Sequence, residues 1–289
     1  MATILVTGAN GQLGNELQIL AKQSKYTWLF TDIAELDICN KDAIESFVIS
    51  NNCTYIINCA AYTAVDKAET DTEIAYAINA TAPKNIAEVC AQHKCFFIHI
   101  STDYVFDGTK HTPYIETDTT NPQSIYGASK LRGENNALAS NQNTCIIRTS
   151  WLYSTYGNNF VKTMIRLGNE RDQLNVIYDQ IGTPTYARDL AAAIIHIVNI
   201  TESNAQFIPG IYHYSNEGVC SWYDFAKEIH DLLNITCKVL PIETKDYPTS
   251  AKRPHYSVLN KTKIKSTFNI TIPHWKESLK ECITKLQQL

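Results

Sequence analysis

The sequence predicts an α/β fold built on a doubly wound parallel sheet, with a smaller C-terminal cap. Three observations predict it. Short apolar, β-branched runs alternate with helical patterns across residues 1–150. The first run ends in a glycine-rich loop that opens a helix. After Ser150 the rhythm breaks into Gly/Asn-rich and mixed patterns. Strand–helix alternation of this kind implies right-handed βαβ units and hence a parallel sheet.

Strands are expected at 4–7, 28–32, 55–58, 96–101 and 145–149. All are nearly continuous apolar runs, as parallel strands covered on both faces must be. Helices are expected at 13–23, 41–50, 74–92 and 127–139. In the third, Ile74, Ile78, Ala82, Ile86, Val89 and Cys90 recur at steps of three and four, which makes one apolar face. Pro83 inside it is expected to kink or split that helix. Beyond Ser150 comes an amphipathic stretch at 160–167. A strand-like 175–178 and a helical 188–198 are expected to return to the sheet. The tail from Gly210 carries Trp222, Trp275 and prolines at 241, 248, 254 and 273. It reads as a cap over the carboxyl ends of the strands.

Composition narrows the function. A chain of 289 residues, 44% hydrophobic and 19% charged, can bury a sizeable core without disulfides or metal. Lys plus Arg number 25 against 29 Asp plus Glu, a net charge of −4. That balance excludes the basic footprint of a nucleic-acid binder and a polybasic membrane anchor. No apolar run reaches the roughly 18 residues of a membrane span, and the first residues lack the basic region of a signal peptide. The nine cysteines are scattered, several in apolar runs (Cys59, Cys95, Cys145). They read as small buried hydrophobes of a reducing compartment, so a cytoplasmic location is expected. Cys90, His93 and Cys95 have no second ligand pair nearby and read as packing.

The chemistry begins at Gly8-Ala9-Asn10-Gly11-Gln12-Leu13-Gly14, a G-x-x-G-x-x-G loop between the first strand and a helix. Glycines permit the tight turn and the close approach of backbone to a pyrophosphate. The helix N-terminus then offers N–H donors and partial positive charge. The sheet is therefore Rossmann-like. Its expected dinucleotide-binding part is 1–150 plus roughly 175–209, and its substrate-binding cap is 151–174 plus 210–289. Asp32 ends the second strand 18 residues beyond Gly14, where a carboxylate can bond the adenosine ribose hydroxyls. Taken alone it favours NADH, because a carboxylate repels a 2′-phosphate. Asp37 is a further candidate on the adenine side.

Tyr126 and Lys130 stand one helical turn apart after Pro122, so they share a face. A lysine ammonium there is expected to lower the phenol pKa and to bind the nicotinamide ribose. The phenol could then protonate a carbonyl oxygen as hydride reaches its carbon. Thr102, at the end of the fourth strand, is placed to bridge that carbonyl and Tyr126.

The loop, Thr102 and Tyr126-x-x-x-Lys130 together resemble the extended short-chain dehydrogenase/reductases. The segments NCAAYTAVDKAE, HISTDYVFDG, YGASKLRGE, RTSWLY, DQIGTPTYARDLA and RPHYSVL are similar more narrowly to the dTDP-4-dehydrorhamnose reductase family. The resemblance spans residues 4 to about 260. It implies pyrophosphate binding by the loop residues Gly8, Asn10, Gly11, Gln12, Leu13 and Gly14, and adenosine contacts from Asp32, Asp37 and Ile38. Ala60, Ala61 and Tyr62 would line the cofactor near the ribose. Thr102, Tyr126 and Lys130 would be catalytic, with Thr102, Asp103, Tyr104, Trp151 and Arg253 against a nucleotide-sugar substrate.

The implied reaction is NAD(P)H-dependent reduction of the C4 ketone of dTDP-4-dehydro-β-L-rhamnose, with NADPH first and NADH also accepted. Some members of that family bind Mg²⁺ through acidic side chains at a dimer contact. Here Glu16 is available but Arg188 offers a cation instead, so no metal is expected, and the chain is expected to be a monomer or homodimer. Two alternatives stay open. One is a nucleotide-sugar epimerase or 4,6-dehydratase of the same superfamily, although Asp103-Tyr104 lacks the Asp-Glu pair of dehydratases. The other is a non-catalytic NADP-binding regulatory subunit.

Overall fold

The structure, a computed structural model, describes residues 2–288. The first half runs β1 (Thr3–Thr7), α1 (Gln12–Ala21), β2 (Thr27–Thr31), α2 (Lys41–Asn51), β3 (Tyr55–Asn58), α3 (Val65–Ala68), α4 (Thr72–Tyr76), a π turn (Ala77–Thr81), α5 (Ala82–His93), β4 (Phe96–Thr102), α6 (Ile125–Ser140) and β5 (Thr144–Thr149). The second half runs β6 (Leu152–Tyr153), α7 (Phe160–Glu170), β7 (Gln173–Ile177), β8 (Ile181–Gly182), β9 (Thr185–Tyr186), α8 (Ala187–Asn204), β10 (Gly210–His213), β11 (Cys220–Ser221), α9 (Trp222–Leu233), β12 (Lys238–Ile242), α10 (Thr262–Phe268) and α11 (Trp275–Leu286).

The central sheet is parallel, in the order β2-β1-β3-β4-β5-β10. Both of its faces are buried. Ile4, Val6, Ile57, Ile98 and Ile147 pack with residues of α1 and α8, while Leu5, Ile56, Phe97 and Ile146 pack with α2, α5 and α6. The alternation in each strand explains why all five strands read as unbroken apolar runs. From β1 the chain steps outward to β2, then crosses back to place β3 on the other side of β1. That reversal opens a crevice at the carboxyl ends of β1 and β3, where ligands of such sheets bind. A third core, with Tyr153, Val161, Phe225, Ile229, Trp275 and Leu279, belongs to the second half of the chain.

Two expectations change. Residues 175–178 do not return to the central sheet, because β7 pairs with β12 in a separate two-stranded parallel sheet. The sixth sheet strand is β10, beside β5, from the tail that the sequence pattern assigns to the cap. Periodicity identifies a strand but not its partner, and both runs are short enough to pair in either place. The Pro83 expectation takes a particular form. Pro83 has no N–H for the carbonyl of Asn79, and the helix widens into the π turn just before it rather than bending after it.

Among the described residues, no helix is long and apolar enough to cross a membrane. All nine cysteines are unpaired; seven are buried and Cys39 is exposed. His93 turns to Glu45, 2.8 Å away. Arg188 stands between Glu16 and Glu281, 3.5 Å from each, so a guanidinium supplies positive charge at Glu16.

Candidate active site

A cleft of about 1050 Å³ runs along the carboxyl ends of β1, β3, β4 and β5. At one end lies the glycine loop. Gly8 has φ +69, and a Cβ there would come within 2.6 Å of Ala60 N, so the crevice between β1 and β3 closes only around a glycine. A Cβ on Gly14 would meet the Gly8 carbonyl at 2.4 Å. Helix α1 starts behind Gly11 with no side-chain cap, which leaves its first N–H groups available to an anion. A bare helix N-terminus under a glycine turn fits the pyrophosphate of a dinucleotide. Asp32 ends this arm of the cleft, its carboxylate accepting from Asn10 N at 2.9 Å and Ile33 N at 2.8 Å. Asp37, Ile38, Ala60 and Ala61 also line the cleft.

The chemical centre is built from β4 and α6. Ser124 caps α6 by accepting from Gly127 N, which sets the first turn. Tyr126 and Lys130 then face the end of β4, and both line the cleft with Thr102, Asp103 and Tyr104. Thr102 Oγ donates to Asp103 Oδ1 at 2.9 Å, and Tyr104 packs edge-on against Tyr126, centroids 5.4 Å apart. Burial pushes the Tyr126 phenol up to about 12, with the Thr102 hydrogen bond pulling it down and Asp103 adding to the rise. The expected depression by Lys130 is absent, because desolvation of the phenolate dominates. Burial likewise takes the Lys130 ammonium down to about 8, against opposing pulls from Glu134 and Cys59. Asp103 is raised to about 6 by the same desolvation, against the Thr102 hydrogen bond.

Lys130 donates to the Ile100 carbonyl at 2.6 Å and lies 3.4 Å from His99 Nε2. Across the sheet, Thr7, Asn58 and His99 are register partners on β1, β3 and β4, and so share one face. Thr7 Oγ donates to Asn58 Oδ1 at 2.7 Å, and Asn58 Nδ2 lies 3.1 Å from His99 Nδ1. On the next turn of α6, Glu134 receives Arg148 Nη2 at 2.7 Å and the Ser101 hydroxyl.

The other arm of the cleft meets the second half of the chain. Trp151, in a left-handed conformation at φ 48, stacks on Trp222 with centroids 3.6 Å apart. Both indoles line the cleft. Sequence reading placed Trp222 in the cap without a role. The capping box Ser221/Asp224 marks a helix start, but nothing in one dimension turns that helix's first residue toward Trp151. Ile33, Thr149 and Ser150, which no sequence pattern singles out, line the cleft as well, and Ile74, expected on an apolar helix face, lies exposed at the cleft instead.

Three candidate residues stand outside the lining. Asn10 reaches Asp32 through its backbone. Tyr62 donates its hydroxyl to Asp71 at 2.7 Å. Arg253 forks onto Asp66, Nη1 at 3.1 Å and Nη2 at 2.7 Å, and that hydrogen-bonded fork holds the Asp66 carboxyl below its usual range.

The chain matches the family model described as "RmlD substrate binding domain" over residues 1–288. It is 45% identical to a dTDP-4-dehydrorhamnose reductase of Aggregatibacter actinomycetemcomitans, over 97% of this chain and 98% of that one. The crystal structure of a dTDP-4-dehydrorhamnose reductase from Clostridium acetobutylicum superposes with a TM-score of 0.93 at 47% identity, covering 99% of both chains. That of the Bacillus anthracis dTDP-4-dehydrorhamnose reductase in complex with NADP gives 0.92 at 40% identity, covering 99% of this chain and 100% of that one. On this full-length match, with a glycine loop at one end of the cleft and a Thr–Tyr–Lys group at its centre, the chain belongs to the RmlD family of dTDP-4-dehydrorhamnose reductases.

Proposed function

We propose that this chain reduces the C4 ketone of dTDP-4-dehydro-β-L-rhamnose to dTDP-L-rhamnose with NADPH, and accepts NADH as well. The observation that carries the reading is the convergence of Thr102, Tyr126 and Lys130 in the cleft whose far end is the uncapped α1. The names of full-length relatives and the NADP held by the Bacillus anthracis protein support it.

Gly8, Asn10, Gly11, Gln12, Leu13 and Gly14 would hold the pyrophosphate. Asp32, Asp37 and Ile38 would flank the adenosine, and Ala60, Ala61, Tyr126 and Lys130 would line the nicotinamide half, with Tyr62 next to them in sequence but bonded to Asp71. A bound dihydronicotinamide supplies the hydride to C4. Tyr126 donates its proton to the developing alkoxide. A phenol held at about 12 stays protonated at any working pH, the state a proton donor needs. Lys130 stabilises the phenolate that remains, and Thr102 orients the carbonyl. Asp103, Tyr104, Trp151 and Arg253 would bind the nucleotide sugar. The proposed division of labour follows the sheet, with a dinucleotide-binding part at 1–150 joined by α8 and β10 and a substrate cap in the rest, acting in the cytoplasm as a monomer or homodimer.

The test is turnover of the enzymatically made 4-keto sugar with NADPH and NADH in parallel. Net consumption of reduced cofactor in proportion to sugar is expected. Redox-neutral conversion of the sugar, or no conversion, overturns the reading. Tyr126→Phe should lose roughly 10²- to 10⁴-fold in kcat while still binding cofactor.

A further inference from the structure

The row Thr7–Asn58–His99 ends at Lys130 without touching the reacting atoms, and its hydrogen bonds run in one direction. Asn58 Oδ1 accepts from the backbone N–H of Ala60 at 3.1 Å as well as from Thr7. A backbone N–H can only donate, so the amide is fixed with Nδ2 toward the imidazole. Nδ2 can only donate, so His99 Nδ1 must accept. A neutral imidazole that accepts at Nδ1 carries its proton on Nε2, and Nε2 faces Lys130 Nζ at 3.4 Å. His99 is completely buried, and burial first, then the Lys130 charge, keeps it neutral. An N–H therefore points at the lysine nitrogen, where an ammonium would need an acceptor.

We infer that Asn58 and His99 are positioning residues that hold a donor against Lys130 and bias it toward the neutral amine. The inference rests on the proposed role of Lys130 and adds what sets its charge. The other groups facing Lys130 are Glu134 and Tyr126 on α6 and the Cys59 thiol after β3. Glu134 favours the charged form but is engaged by Arg148. Desolvation and the His99 donor act together against it. Lys130 is thus left able to exchange its proton near the working range, with the Ile100 carbonyl fixing its position.

Asn58→Asp tests this by reversing the row. A carboxylate at 58 still accepts from Thr7 and Ala60, but it also accepts a hydrogen bond from His99 Nδ1–H, which stabilises that tautomer and leaves Nε2 as an acceptor for the ammonium. In protein labelled with ¹³C-lysine, the Lys130 Cε signal is assigned by its loss in Lys130→Arg and titrated without substrate. A midpoint near 8 in the native chain, raised by about one unit or more in Asn58→Asp, is expected. An equal or lower midpoint in Asn58→Asp overturns the inference. Asn58→Ser frees Nδ1 to be protonated without adding charge; a rise there of the same sign excludes simple attraction by the new carboxylate, and no rise assigns the Asp effect to that charge and overturns the tautomer argument. Neither readout uses turnover, so a native chain that titrates as expected but leaves the 4-keto sugar unreduced refutes the proposed reaction and not this inference.

Discussion

Lys130 and Arg148 are both 2% exposed and both stand near Glu134, Lys130 one turn away on α6 and Arg148 across from β5, yet the fold treats them differently. Arg148 donates to the carboxylate through Nε and Nη2, with the Phe106 ring centroid 5.1 Å from its guanidinium carbon. Lys130 forms no ion pair among the described residues; it donates to a carbonyl and faces an imidazole instead. Arginine stays charged wherever it is buried, so a carboxylate must accompany it. A lysine amine can shed its proton, so its environment sets how often it is charged. A buried cation with a carboxylate partner is structural, and one without such a partner is chemical.

Replacing each cation or its partner in turn separates the two roles. Lys130→Met should lose roughly 10²- to 10⁴-fold in kcat while keeping or gaining thermal stability, since an unpaired buried cation disappears. A large fall in melting temperature with kcat nearly unchanged would make Lys130 structural after all. Glu134→Gln should do the reverse. It leaves Arg148 buried and uncompensated, a loss of about 3–5 kcal/mol that a urea unfolding midpoint reads directly.

Two smaller effects sharpen the contrast. With Lys130 depressed to about 8, kcat/KM should fall as pH rises through that value, because the ammonium that stabilises the phenolate is lost. Tyr126, raised to about 12, cannot cause a limb there, so a limb that persists unchanged in Lys130→Arg would exclude the lysine as its source. At the cap end, Trp222→Ala should raise the KM for the nucleotide sugar about tenfold, of the order of a lost aromatic stack. Cofactor affinity should stay as it is, because Trp222 supports Trp151 and not the glycine loop. Trp222→Phe should restore most of the loss.

Much of this was legible in one dimension because the relevant spacing is local. Gly8 to Gly14 is a single turn into a helix, and Tyr126 to Lys130 is one helical turn, so period alone puts each set on one surface. The five sheet strands of the first half declare themselves as apolar runs because both faces of a parallel sheet are covered. The expectation for the Tyr126 pKa went wrong for a related reason. Spacing shows that a cation is near, but not how much water the phenol loses.

Residue type and short-range periodicity suffice for the first five strands of the sheet, the glycine turn and the Thr–Tyr–Lys group. That β10 rather than β7 completes the sheet, that Trp222 meets Trp151, and that Thr7, Asn58 and His99 form one row ending at Lys130 all depend on the folded chain. Those contacts join residues 31 to 71 positions apart. Strand register and desolvation create them, and neither is a property of any single segment.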